Sequence, residues 1–115
     1  MTDHPTAELD DVVHQRHRLG ILTIAAEAKQ VEFGYLREAL GLTAGNLSRH
    51  ITVLDDAGLV AVHKGYEGKR PRTWVRITDT GRTALAKEMA ALWALVRRQP
   101  APEPAAPRPD QHAAD

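Results

Sequence analysis

The sequence predicts a small, mainly α-helical α+β domain in which three helices precede a β-hairpin and a long final helix, in the order α-α-α-β-β-α. Apolar residues recur at helical spacing in three successive stretches and again near the end of the chain, and two short stretches between them are rich in β-branched residues. The 115 residues suit one domain, and 43% of them are hydrophobic, which allows a core. A chain of this size buries only about two-thirds of its unfolded surface, so we expect dimerisation to add stability.

The first predicted elements are two helices. Residues 1–8 are polar and contain Pro5, and we expect a disordered N-terminal arm there. Residues 9–28 carry apolar side chains at helical spacing, with a polar interval that can break or bend the helix. Residues 34–40 predict a short second helix, which Gly41 ends.

A third helix is predicted over residues 44–57, with Thr43 as its N-cap and Gly58 after its last turn. Its buried stripe has the spacing i, i+4, i+7 and consists of Leu47, Ile51 and Leu54. The tight turn between the second and third helices is typical of a helix-turn-helix unit.

Residues 59–64 and 73–78 are the predicted strands of the hairpin. Glycine and proline mark residues 65–72 between them as a long loop at the hairpin tip. A helix-turn-helix unit followed by such a hairpin describes a winged helix-turn-helix fold.

The last helix is predicted to begin at Thr78 or Asp79 and to end near Arg98. Its apolar surface is wider than packing against one small domain requires. Residues 99–115 contain five prolines and five alanines, so we expect a disordered tail. The winged helix domain is therefore predicted to span residues 9–98.

The third helix carries the main candidate DNA-binding residues. Small, polar or cationic side chains remain on it once the buried stripe turns inward: Thr43, Ala44, Gly45, Asn46, Ser48, Arg49, His50 and Thr52. In a major groove Arg49 can donate two hydrogen bonds to guanine, and Asn46 can pair with adenine. An ordinary solvated helix face is the alternative for the set. His50 lies at the edge of the buried stripe, so it either contacts phosphate or forms a hydrogen bond within the fold.

The predicted hairpin loop is basic. Its cations suit a wing that follows the DNA backbone or enters the minor groove, and they are Lys64, Lys69, Arg70 and Arg72. The formal net charge is zero, which is low for a DNA-binding protein. However, residues 1–13 carry four acidic side chains and no Lys or Arg, whereas residues 63–76 carry five Lys or Arg against one Glu. Because salt screens charges beyond about 10 Å, the local charge decides the encounter with DNA. The alternative is a loop that its charge merely keeps soluble.

The stretch over residues 42–85 resembles the winged helix regulators related to the MarR and ArsR families, in particular the compact winged helix DNA-binding domain regulators of bacteria and archaea. The matching positions are Leu42, Thr43, Gly45 through Ser48, His50, Ala57, Gly58, Gly68, Pro71, Thr73, Thr78, Gly81 and Arg82, and Ile77 stands where leucine is commoner. The resemblance extends over roughly residues 9–96. It implies that the third helix reads DNA, that the wing holds the backbone, and that the terminal helices build a two-fold dimer.

The dimer implied by this resemblance has a predicted interface on both terminal helices, formed by Leu9, Val12, Val13, Leu85, Met89, Leu92, Trp93 and Val96. Two recognition helices related by a two-fold axis would meet a near-palindromic operator. We therefore expect a homodimeric, sequence-specific regulator of transcription that acts on double-stranded DNA, a repressor in preference to an activator. MarR-like relatives often respond to small aromatic molecules, which suggests an effector of unknown identity. We expect Trp74 and Trp93 to serve packing.

Other functions are weaker predictions. A winged helix used for protein–protein contact without DNA binding is the main alternative, because the net charge is zero. The sequence contains no phosphate loop, nucleophile–base pair or paired carboxylates, so we expect no enzyme. It contains no cysteine, and although Asp10, His14 and His17 have a spacing that could hold a metal, a fourth ligand is missing, so we expect no metal and no cofactor. Without a signal peptide or an 18-residue apolar run, we expect a cytoplasmic protein associated with the nucleoid and not with a membrane.

Overall fold

The structure, a computed structural model, describes residues 4–100. Residues 1–3 and the predicted tail from residue 101 onward lie outside the described residues. In chain order, the elements are a 3₁₀-helix Pro5–Glu8, α1 Arg16–Glu27, β1 Val31–Glu32, α2 Phe33–Leu40, α3 Ala44–Asp56, β2 Val60–Glu67, β3 Arg70–Ile77 and α4 Asp79–Arg98. The predicted α+β winged helix fold is thereby confirmed.

The N-terminal region differs from the prediction in two ways. The segment Pro5–Glu8 is a 3₁₀-helix against α4, so the expected disordered arm is wrong for these residues. The predicted helical region 9–28 is helical only from Arg16 onward. The reason is local hydrogen bonding: Oδ1 of Asp10 accepts the Val12 N–H at 2.7 Å, and the side chain of Gln15 caps α1. Such side-chain acceptors stabilise turns in competition with a continuous helix.

The helix-turn-helix unit forms as predicted. The first of its helices, α2, ends at Gly41, whose φ of 65° lies in the left-handed region. The Oγ1 atom of Thr43 accepts the Asn46 N–H at 3.1 Å and so caps α3. Leu47, Ile51 and Leu54 of α3 are buried, which confirms the predicted stripe.

The hairpin strands are longer than predicted, and their tip is shorter. The antiparallel pairing runs from Val60 opposite Ile77 to Glu67 opposite Arg70, so the predicted loop over residues 65–72 is mostly strand. Only Gly68 and Lys69 remain between the strands. Gly68 has a φ of 63° and Lys69 does not have a positive φ, as in a type II′ turn, and this turn matches the twist of a hairpin.

The sheet has a third strand that the sequence analysis missed. The two-residue strand β1 pairs with β3 on the side away from β2, with Val31 opposite Val75 and Glu32 opposite Trp74. Two residues are too few to show an alternating pattern. The core lies between the three helices of the first half and the base of the sheet, and its fully buried side chains include Ile21, Leu22, Leu36, Leu47, Leu54 and Val75.

Candidate nucleic-acid interface

The N-terminal half of α3 is exposed. Seven of the eight predicted DNA-binding residues on and before this helix are exposed, namely Thr43, Ala44, Gly45, Asn46, Ser48, Arg49 and Thr52, and His50 is half-buried. The fold does not require a glycine at position 45, because a Cβ there would meet no other atom within 4 Å. The N-terminal end of α3, where the first backbone N–H groups have no carbonyl partner within the helix, therefore presents small and polar residues to solvent.

One edge of α3 faces the hairpin across an open groove of about 420 Å³. Phe33, Ile51 and Val62 contribute apolar lining, and the polar lining consists of Ser48, Thr52, Asp55, Lys64 and Thr73. The groove thus brings Lys64 of the wing together with Ser48 and Thr52 of α3, as the DNA-binding prediction requires. It also contains a carboxylate, Asp55, which repels phosphate and which the sequence analysis did not place at the site.

The cations of the hairpin do not share one face. Residues directly opposite in an antiparallel pair lie on the same face, and the faces alternate along each strand. Lys64, opposite Thr73, is on the face toward α3, whereas Arg72, opposite Gly65, and Arg70, opposite Glu67, are on the other face. Of the four cations predicted for the wing, only Lys64 and the turn residue Lys69 therefore do not lie on the face that points away from α3.

Arg72 has a partner that the sequence analysis did not predict. Its Nη1 atom lies 3.1 Å from Oε1 of Glu32, and its side chain is only 25% exposed. The ion pair joins β3 to the segment before α2, across 40 residues of sequence. Arg72 thus has a role in the fold, and Lys64, Lys69 and Arg70 are the exposed cations among the four predicted for the wing.

The wing also presents an aromatic side chain that the sequence analysis did not select. Tyr66 is 76% exposed and lies two residues before the turn glycine, opposite Pro71. It lines a surface groove of about 340 Å³ on the hairpin together with Lys64. The alternation of strand residues from Val60 onward would have placed Tyr66 on the face of Lys64, had the strand been predicted to extend that far.

His50 has a hydrogen-bond partner within the fold. Arg18 of α1 donates from Nη1 to Nδ1 of His50 at 3.2 Å, and the ring of His17 lies 5.4 Å from the ring of His50. Burial lowers the pKa of His50 below 6.5, and the charges of Arg18, His17 and Arg49 lower this pKa further. Of the two alternatives for His50, the structure shows the hydrogen bond within the fold.

The predicted dimer surface is only partly available. Val13 is fully buried and Leu85 is buried within the chain, so both pack the core and the prediction that they contact a partner is wrong. Trp93 and Val96 are exposed by 61% and 58%, and with Met89 and Leu92 they line a shallow apolar groove of about 240 Å³ on α4. We call Met89, Leu92, Trp93 and Val96 the α4 strip; their spacing is i, i+3, i+4, i+7. Leu9 and Val12 are half-buried.

The three residues whose spacing resembled a metal site do not lie on one helix. Asp10 and His14 precede α1 and contact Glu88 of α4, a carboxylate whose side chain is completely buried. Nδ1 of His14 is 2.6 Å from one carboxylate oxygen, and the Asp10 N–H donates to the other at 3.2 Å. Within residues 4–100, no three His, Asp or Glu side chains are arranged to hold a metal ion, and no helix has the length and apolar composition needed to cross a bilayer.

Comparison with known proteins identifies the family. The model of the winged helix DNA-binding domain family matches residues 17–96. An uncharacterized protein of Methanocaldococcus jannaschii is 39% identical over 67 residues, which are 58% of this chain and 73% of the relative. The structure of a transcriptional regulator homologue from Pyrococcus horikoshii is similar with a TM-score of 0.70 and 35% identity, over 75% of this chain and 85% of that one.

More distant structures share the fold. A MarR-family regulator from Enterococcus faecalis has a TM-score of 0.63 and 23% identity, over 84% of this chain and 88% of that one. A Mycobacterium tuberculosis transcriptional regulator, solved in complex with DNA, has a TM-score of 0.63 and 22% identity, over 81% of this chain and 65% of that one. Family and fold are thus those of DNA-binding transcriptional regulators and not of enzymes, and the chain belongs to the winged helix DNA-binding domain family.

Proposed function

We propose that this chain is a sequence-specific regulator of transcription that binds double-stranded DNA as a homodimer, with α3 in the major groove and the wing on the adjacent backbone or minor groove. The observation that carries the proposal is the exposed first half of α3, whose Ser48 and Thr52 share a groove with Lys64 of the wing. A helix with its polar N-terminal residues free and a cation beside it is the arrangement that reads base edges while holding a phosphate.

Four exposed residues of α3 have a defined task in this proposal. Arg49 donates two hydrogen bonds to guanine O6 and N7, and Asn46 pairs with adenine. The positive end of the helix dipole and the hydroxyl of Ser48 attract phosphate. The open space around Gly45 lets the backbone of α3 approach the base edges on the floor of the DNA major groove.

The wing contributes charge more than base recognition. Lys64 points into the groove beside α3, and Lys69 and Arg70 are exposed at the tip. Neutralising phosphates releases counterions, so binding should weaken steeply with salt. The proximity of Asp55 to Lys64 limits how much phosphate this groove attracts, which makes the base contacts of α3 more decisive.

The α4 strip is the proposed dimer surface. Large exposed apolar side chains at helical spacing favour packing against a second copy of the same helix. A two-fold dimer would present two α3 helices to successive major grooves about 34 Å apart, hence to a near-palindromic operator. A dimer that covers promoter DNA blocks access to it without a further contact, whereas activation needs one, so we propose a repressor. The site of action is then the nucleoid in the cytoplasm, and a small-molecule effector would act by changing the dimer geometry.

Selection of bound sequences from random duplex DNA, at two salt concentrations, tests the proposal. We expect enrichment of a two-fold symmetric sequence and a strong loss of affinity at the higher salt. Enrichment of no sequence at low salt would contradict sequence-specific binding.

The zero net charge and Asp55 in the groove favour, as a second candidate, a protein–protein interaction module. If the chain were such a module, replacing Lys69 and Arg70 would leave the binding of its protein partner unchanged.

A further inference from the structure

Arg18 links three separate parts of the fold through one guanidinium group. Its Nε atom donates to the carbonyl oxygen of Val12 at 2.6 Å, and its Nη2 atom donates to that of Asp11 at 3.2 Å. Its Nη1 atom donates to Nδ1 of His50 on α3 at 3.2 Å. Because the guanidinium is planar and its donors have fixed directions, the two carbonyl contacts determine where the third donor points.

This contact determines the protonation of the His50 ring. Arginine has donors and no acceptor, so Nδ1 of His50 must accept, and the proton of the neutral ring must be on Nε2. The lowered pKa of His50 agrees with a neutral ring. The groups that face the ring are Arg18 and His17 of α1 and Arg49 of α3, and protonation at Nδ1 would place a donor against the Arg18 donor.

His50 also lies on a useful edge of α3. It follows Asn46 by four residues, so the two side chains are neighbours on the same side of the helix. This edge faces α1, whereas Ser48 and Thr52 are on the edge that faces the wing. His50 is half-buried, so part of its ring reaches the surface beside an exposed Asn46.

The segment that holds Arg18 is itself anchored on α4. Glu88, whose side chain is completely buried, accepts the Asp10 N–H at 3.2 Å and contacts Nδ1 of His14 at 2.6 Å. Glu88 therefore holds both ends of the segment 10–14 against α4, and Arg18 contacts the carbonyl groups of Asp11 and Val12 between these ends. The carbonyl groups that orient Arg18 thus have a rigid support that does not depend on α3.

We propose that Arg18 is a positioning residue for DNA binding: it holds the imidazole of His50 with its proton on Nε2, so that this edge of α3 offers a neutral N–H donor to a backbone phosphate. The inference rests on the proposed DNA-binding function. It assigns a phosphate contact to His50, on the edge of α3 that faces α1, whereas Lys64 lies beside the opposite edge.

Ring ¹⁵N NMR of the full chain, labelled at histidine, measures the tautomer without DNA. Assignment of His50 uses the His50→Gln variant. In the wild type at neutral pH we expect Nδ1 to be unprotonated and Nε2 protonated, and in Arg18→Met we expect both tautomers to be populated. Arg16→Met is the matched control, since Arg16 is exposed on the same first turn of α1. An Arg18→Met protein that kept the Nε2–H tautomer would overturn the proposal.

Titration with the duplex selected from random DNA gives the second readout. Arg18→Met should weaken binding by about tenfold more than Arg16→Met, as expected for the loss of one oriented contact to phosphate in each half-site. Arg18→Lys keeps the charge but replaces the three donor nitrogens of the guanidinium with one, so it should recover part of this loss. Equal losses in Arg18→Met and Arg16→Met would show that only the charge matters and would overturn the assignment.

Two substitutions of His50 keep the test valid if Arg18→Met is unstable. The amide nitrogen of Gln takes the place of Nε2 and that of Asn the place of Nδ1, so His50→Gln should bind within about threefold of wild type and His50→Asn about tenfold more weakly. Equal affinities would contradict the proposed donor. If the wild type selects no duplex, the proposed function fails, but the NMR measurement still decides whether Arg18 fixes the tautomer.

Discussion

Replacing Trp93 with aspartate tests the proposed dimer surface. Trp93 is 61% exposed on the α4 strip. An aromatic side chain offers about 150–250 Å² for burial, so the exposed part of Trp93 is on the order of 150 Å². At about 25 cal/mol per Å², covering half of this area on both protomers contributes roughly 4 kcal/mol to the dimer. Loss of that contribution should raise the dimer dissociation constant about a thousandfold.

Sedimentation velocity over a range of concentrations measures this effect. Tyr35→Asp is the matched control, because Tyr35 is an aromatic residue with a similar exposure of 58% on α2, outside the α4 strip. We expect Trp93→Asp to be monomeric where the wild type and Tyr35→Asp are dimers, with equal helical content by circular dichroism. If Trp93→Asp sedimented as the same dimer as the wild type, the α4 strip would not be the interface.

Four further predictions concern DNA binding and stability. Arg49→Ala should cost about 1–3 kcal/mol in titrations with the selected duplex and relax the preference at one base pair of each half-site, and unchanged affinity would mean that Arg49 reads no base. Lys69→Ala should weaken binding to all sequences alike and reduce the salt dependence, and Lys29→Ala, a change of equal charge away from the wing, should not. In urea unfolding, the free energy of unfolding of Gly45→Ala should equal that of the wild type or exceed it by up to about 1 kcal/mol, because a Cβ at this position meets no other atom within 4 Å. The same variant should bind DNA more weakly if the backbone of α3 must approach the bases, and wild-type affinity would refute that approach. Burial and neighbouring cationic groups lower the pKa of His50, so the unfolded chain takes up this proton first as the pH falls through 6.5. The free energy of unfolding of the wild type should therefore decrease below that pH. If His50→Gln showed the same pH dependence as the wild type, His50 would not be the group that causes this decrease.

The helix-turn-helix unit was predictable because its signals are local. The cap at Thr43, the glycine at position 41 and the i, i+4, i+7 stripe each involve residues within two helical turns of one another. Exposure of Asn46 and Arg49 follows from the same stripe, since residues that do not face the core face solvent. For the same reason the start of α4 was predicted to within one residue, at Thr78 or Asp79, and the structure has Thr78 as the N-cap, with its Oγ1 accepting the Gly81 N–H at 2.9 Å.

The contacts that modify the site were not predictable, because they join residues that are far apart in sequence. The ion pair of Arg72 with Glu32 spans 40 residues, the Arg18–His50 hydrogen bond spans 32, and the contact of Asp10 with Glu88 spans 78. No periodicity or cap in the sequence indicates which of many charged groups will meet at such distances.

Local sequence signals were therefore enough to predict the winged helix fold, the polar face of α3 and the concentration of basic residues in the hairpin, since helix caps, turn glycines and apolar spacing act over a few residues. The length of the wing, the separation of its cations onto two faces and the hydrogen bond between Arg18 and His50 became known only from the folded chain. Strand pairing and side-chain partners depend on which surfaces the packed core brings together, and that packing involves the whole chain at once.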